Sequence, residues 1–112
     1  MISIDDFKKI QIKIGQILSA EKVPDTDKLL KLSINMGEES PRQIISGISE
    51  FFPEPNLLVG KKVAFLANLE PRVIRGLESQ GMILAVSGGE DDKKFFSLLE
   101  VGADVVPGVE IK

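Results

Sequence analysis

The chain contains no cysteine, histidine, tryptophan or tyrosine. Without cysteine there is no thiol nucleophile, no disulfide and no soft metal site; without histidine there is no imidazole base, and a Ser-His-Asp triad is impossible. Carboxylate-only sites remain open, but a hydrolase or transferase of the familiar kinds would have to do without its usual tools. No apolar run approaches the roughly 20 residues of a membrane helix. The opening Met1-Ile2-Ser3-Ile4-Asp5-Asp6 has no basic segment followed by an apolar one, so it does not read as a signal peptide. Cysteine-free composition fits a reducing compartment, and the expectation is a soluble cytoplasmic protein without a membrane partner.

What remains is enough for one domain spanning residues 1–112: 43% of the residues are hydrophobic and 28% charged, which suits a packed core rather than a disordered chain. The net charge is −3, but the excess is local. Residues 89–112 hold six acids against three lysines, leaving eleven of each sign in residues 1–88. A polyanionic ligand, which favours a basic surface, is therefore opposed by the tail and not by the body of the chain.

Periodicity predicts strands. Ser3 with Asp5 and Asp6 resembles a capped helix start, giving a short helix over 5–9. Ile10, Ile12 and Ile14 then alternate with Gln11 and Lys13; Gly15 marks a bend or bulge, and the strand resumes through Ile17 towards Val23. The cleanest alternation is Leu30, Leu32, Ile34 and Met36, closed by Gly37. Arg42 to Ser46 is a third strand, Gly47 to Phe52 a short helix stopped by Pro53 and Pro55, Lys61 to Leu69 a fourth strand and Gly81 to Ser87 a fifth, turned by Gly88-Gly89. Five short strands with a helical insert between the third and fourth match the all-β, five-stranded Greek-key barrel of the OB-fold. Residues from about 89 form a C-terminal extension beyond it. Its Phe95, Phe96, Leu98 and Leu99 exceed what a small barrel buries, which predicts a homodimer through this extension.

The segment Asn68-Leu69-Glu70-Pro71-Arg72-Val73-Ile74-Arg75-Gly76-Leu77-Glu78-Ser79-Gln80-Gly81-Met82 lies between the fourth and fifth strands, where an OB-fold carries a ligand-binding loop. Its residue types suit RNA. Arg72 and Arg75 each offer a planar donor fork to phosphate. Asn68, Ser79 and Gln80 can donate and accept hydrogen bonds, and also brace a loop. Met82 offers a polarisable apolar face. Lys28, Lys31, Arg42 and Ser46 come beside this loop if the barrel wraps as expected; in isolation the three cations read as solvated side chains. The six phenylalanines look like packing residues, so a base-stacking single-strand reader is disfavoured against recognition of a folded RNA by shape and backbone. Glu90-Asp91-Asp92 lacks a calcium-loop pattern and reads as a solvated hairpin tip, so no metal and no cofactor are expected.

The pattern Asn-Leu-x-Pro-Arg-x-x-Arg-Gly-x-x-Ser-Gln-Gly-Met resembles the signature of the tRNA-binding domain family. So do the blocks at Asp6–Ile10, Ile14–Ile17, Pro24–Leu29, Arg42–Ile48 and Val59–Val63, in the same order. That family includes the C-terminal appendage of methionyl-tRNA synthetases, free-standing structure-specific tRNA-binding proteins, and cytokine-like and export-chaperone relatives. The resemblance implies a module that binds tRNA and catalyses nothing, paired as a homodimer, either free-standing or as a detached β subunit working with methionyl-tRNA synthetase. A peptide-binding export chaperone is the alternative within the family. Three positions depart from its pattern: Glu70 where lysine is frequent, Val73 where a basic or polar residue is common, and Val23 where histidine often precedes the proline.

Overall fold

The computed structural model describes all 112 residues. Ser3 closes a capping box at the start of α1 (Ile4–Phe7): its hydroxyl accepts the Asp6 amide, and the Asp6 carboxylate accepts the Ser3 amide. Ile10 donates back to the Phe7 carbonyl and stays exposed, so the first strand begins later than the alternation predicts.

That strand, β1 (Ile12–Lys22), runs unbroken through Gly15. The irregularity falls between Ile17 and Ser19 instead, where the register against the next strand shifts. Gly15 serves packing: a Cβ there would lie 2.5 Å from Ile34 Cγ2 and 2.6 Å from Met36 Sδ. The remaining members of the main sheet are β2 (Leu30–Asn35), β3 (Arg42–Ser46), β4 (Lys62–Leu66) and β7 (Met82–Ile83), all antiparallel in the order β3-β2-β1-β4-β7.

The sheet curls until its two edges meet. Gln80 N–H donates to the Gln43 carbonyl at 2.8 Å, and Gln80 Oε1 accepts the Gln43 amide at 3.0 Å, which joins β3 to the approach to β7. This is the curled five-stranded antiparallel sheet of an OB-type barrel. Between β3 and β4 the expected helix is two 3-10 turns, Ser49–Phe51 and Pro55–Leu58. Pro55, read from sequence as a stop, heads the second, where its missing N–H costs nothing.

Alternation along β2 delivers Leu30, Leu32 and Ile34 to the interior with no residual exposure; they pack with Ile17, Ile44, Val63 and Phe65. Truncating one such leucine to alanine costs about 2–5 kcal/mol. The predicted fifth strand is broken at Leu84, whose amide turns to the Ala64 carbonyl. Beyond the break, β8 (Ala85–Gly88) pairs with β9 (Phe95–Leu98) in a separate hairpin.

The residues beyond 89 are therefore stitched to the barrel. Ala64 donates to the Leu99 carbonyl, Val101 to Lys62, Ile14 to Val109 and Ile111 to Ile12. Of the four tail residues expected to be in excess, Leu98 is buried in the barrel's own core, and Phe96 stacks on Phe51 with ring centroids 4.1 Å apart. Phe95 and Leu99 stay exposed. No helix is long and apolar enough to cross a membrane.

Candidate nucleic-acid interface

The segment read from sequence as a binding loop contains a β-hairpin, β5 (Arg72–Ile74) with β6 (Leu77–Ser79). Its two-residue tip is Arg75-Gly76, with φ of 53° and 80°. Two successive positive φ values define a type I′ turn, whose twist matches that of the strands it joins. Glycine enters that region freely, whereas Arg75 is held there with a side chain on it.

Cross-strand pairing assigns the two faces. Arg72 lies opposite Ser79 and Ile74 opposite Leu77, and these four share the face turned to the barrel; Val73 and Glu78 oppose each other on the outer face. Val73, 72% exposed, is thus an apolar residue presented to solvent.

Four of the polar residues singled out from the sequence hold this hairpin in place. Asn68 Oδ1 accepts the Gln11 amide at 2.8 Å and its Nδ2 donates to the Lys9 carbonyl at 2.7 Å, pinning the exit of β4 to the start of β1. Ser79 is buried; its hydroxyl accepts the Ile45 amide at 3.0 Å and donates to the Gly81 carbonyl at 3.1 Å. Gln80 makes the barrel-closing contacts already described. Arg42 takes Glu38 in a two-pronged ion pair at 2.7 and 2.8 Å, and turns Nη1 to the carbonyls of Ala67 at 2.5 Å and Gln80 at 3.2 Å. Its hydrogen bond to Glu38 holds the Glu38 carboxyl below its ordinary range, while the same bond raises the Arg42 guanidinium. Arg42 thus reaches the loop, as barrel wrapping requires, but arrives there already engaged.

Arg72, Arg75 and Lys28 form no side-chain hydrogen bond or ion pair with the protein, and all three are exposed. The structure brings them to different places. Arg72 lines a cleft of about 310 Å³ together with Ser46, Ser79 and Met82. Arg75 lines a second one, about 400 Å³, with Lys22 and Lys31 on the strands beneath the hairpin tip. Glu21, on its wall, is paired to Lys31 at 2.7 Å. Lys28 lines neither. Lys22 was not singled out by sequence reasoning: it stands among the alternating polar residues of β1, and nothing local says that a hairpin formed far along the chain folds over it.

A family model described as "Putative tRNA binding domain" matches residues 12–110. The chain belongs to that family. Among its relatives, a methionine–tRNA ligase of Myxococcus xanthus is 50% identical over 111 residues, covering 99% of this chain and 15% of the ligase. The chain spans 13–16% of the length of such curated relatives. Among solved structures, a MetRS-related protein of Pyrococcus horikoshii superposes with a TM-score of 0.86 at 36% identity, covering 100% of this chain and 98% of that one. A chaperone CsaA of Bacillus anthracis reaches a TM-score of 0.80 at 24% identity over 100% and 99% of the two chains, a likeness of fold.

Proposed function

We propose that the chain binds tRNA through the β5–β6 hairpin and the clefts on either side of it, without catalysis. The observation that carries this reading is the pairing of two unengaged arginines, Arg72 and Arg75, with a rigid support made by Asn68, Ser79, Gln80 and Arg42. A hairpin backbone already held in place spares the entropy of ordering the loop on binding. A folded RNA presents a dense phosphate backbone to which such donors attach irrespective of sequence. Arg75, Lys22 and Lys31 supply a cationic cleft for one stretch of backbone, and Arg72 marks a second contact. Ser46 and Met82 offer the sugar and base a mixed polar and apolar wall, and Lys28 adds exposed positive charge outside the two clefts.

The protein works as a homodimer. Ile2, Ile4 and Ile10 at one end of the chain and Val109 and Ile111 at the other are exposed, and a cleft of about 270 Å³ has apolar walls from Ile4, Phe7, Ile10 and Ile111 with Lys8, Glu110 and Lys112 also lining it. A second copy covering this face would remove a patch that costs solubility on a monomer. It would also double the tRNA-contacting surface, raising avidity without a new contact. In this arrangement the residues beyond 89 contribute Val109 and Ile111 to a pairing surface that they share with the N-terminal residues of a single domain. Its setting is cytoplasmic, free-standing or beside a methionyl-tRNA synthetase as its detached tRNA-binding subunit, a reading supported by its similarity to methionine–tRNA ligases.

A chaperone reading is favoured by one observation: Val73 is exposed on the hairpin, whose two arginines are balanced by Glu70 and Glu78. Titrating the protein with bulk tRNA and, separately, with an unfolded peptide decides between the two. Salt-sensitive binding of tRNA with no peptide binding is the expected result.

A further inference from the structure

The cleft beside Arg72 differs in kind from the one beside Arg75. The latter is a cationic trough. The former has apolar walls from Leu29, Ile45, Ile74 and Met82, and both Glu70 and Arg72 line it. Glu70 is exposed and takes part in no side-chain hydrogen bond or ion pair; its neighbour Arg72, two residues on, is not within salt-bridge distance. A free carboxylate in a surface that meets a polyanion repels phosphate, so backbone binding alone gives it no use.

Resting on the tRNA reading, we infer that this cleft receives a single unpaired nucleobase of the RNA, and that Glu70 makes it selective for guanine. An ionised carboxylate only accepts hydrogen bonds. Guanine is the one base whose Watson–Crick edge sets two donors side by side, the ring N1–H and the exocyclic N2–H, matching the two carboxylate oxygens. Adenine and cytosine each place one amine next to a bare ring nitrogen, which faces the second oxygen unfavourably. Uracil flanks its single N–H with two carbonyls. Unpaired bases in RNA loops are commonly read at this edge while their faces lie on apolar or planar side chains. Ile74 and the Met82 thioether supply such faces, and Arg72 at the same cleft meets the phosphate attached to the nucleotide. The departure at Glu70 then changes the ligand preference of the site, adding base selectivity to backbone recognition.

The test uses the full chain and the four nucleoside 5′-monophosphates, titrated by NMR, in the wild type and in Glu70→Gln and Glu78→Gln. Glu78→Gln removes the same charge from the outer face of the hairpin, away from the cleft. The wild type should bind guanosine monophosphate about tenfold tighter than uridine monophosphate, the effect of one charge-assisted hydrogen bond, with shifts centred on Leu29, Ile45 and Met82. Glu70→Gln should abolish most of that preference and Glu78→Gln should keep it. Equal binding of the four nucleotides, no binding at all, or equal effects of the two substitutions would overturn the inference. A parallel titration of the wild type with bulk tRNA separates the two failures: if tRNA still binds, only the guanine site falls, and if it does not, the tRNA reading falls as well.

Discussion

Ser79 and Ile45 are joined by a hydrogen bond of 3.0 Å in which the buried Ser79 hydroxyl accepts the Ile45 amide. This contact fastens the end of the β5–β6 hairpin to the edge of the barrel. Both partners are cut off from water, so removing the hydroxyl strands an amide donor and the Gly81 carbonyl together. Ser79→Ala should cost about 1–3 kcal/mol and lower the melting temperature, while weakening tRNA binding only through the hairpin's looser hold. An unchanged melting temperature in Ser79→Ala would show that the hydroxyl is not structural.

The Arg42–Glu38 pair makes stability depend on acid. Glu38 has its pKa lowered from the ordinary 4.5, chiefly by its hydrogen bond to Arg42. A depressed carboxylate stabilises the fold fully above its unfolded value and loses that contribution as pH falls through the folded one. The advantage of the wild type over Glu38→Gln in thermal denaturation should therefore hold from neutrality to about 4.5 and shrink below it. The gap should be modest, because the pair is partly exposed. A gap independent of pH would contradict this assignment.

Pairing of two chains is tested by sedimentation at micromolar concentration. The wild type should run at twice its 12.2 kDa chain mass, and the double substitution Ile4→Asp with Ile111→Asp should return it to one. A wild type sedimenting as a single chain would remove the dimer from the account.

The parts of the fold that could be read from the sequence are those where one face of a strand is buried along its whole length. Leu30, Leu32, Ile34 and Met36 alternate with polar residues because only their side of β2 meets the core; Val63, Phe65 and Ala67 share one face of β4 and its exit in the same way, although Ala64 between them is covered as well. The β5–β6 hairpin escaped notice for a local reason. Its strands are three residues each, and its turn is Arg-Gly, without the Asn-Gly or Asp-Gly that advertises a type I′ turn. The tip of the β8–β9 hairpin was legible in Gly88-Gly89 and Glu90-Asp91-Asp92, but its strands were not: Ala85 to Gly88 continues the apolar run of β7, and Phe95 to Leu98 has no polar alternation to mark a strand. The candidate site was legible as a segment, since Asn68 to Met82 carries its own pattern. Its geometry was not. That Arg42 is already engaged, and that Lys22 faces Arg75 across a cleft, follow from barrel closure, which no local window contains.

The central claim is that Arg72 and Arg75 present themselves to the RNA backbone from a rigid hairpin. It is tested most directly by titrating tRNA at two salt concentrations into the wild type and into the double substitution Arg72→Ala with Arg75→Ala. Both side chains are exposed and unpaired, so the melting temperature should hardly move. Each lost phosphate contact should reduce the slope of log affinity against log salt by about one unit, with all tRNAs affected alike. Affinity should fall by about two orders of magnitude, or somewhat less if the two arginines share one phosphate. A folded double variant that binds tRNA as tightly as the wild type, with the same salt slope, would contradict the account and favour the peptide-binding reading.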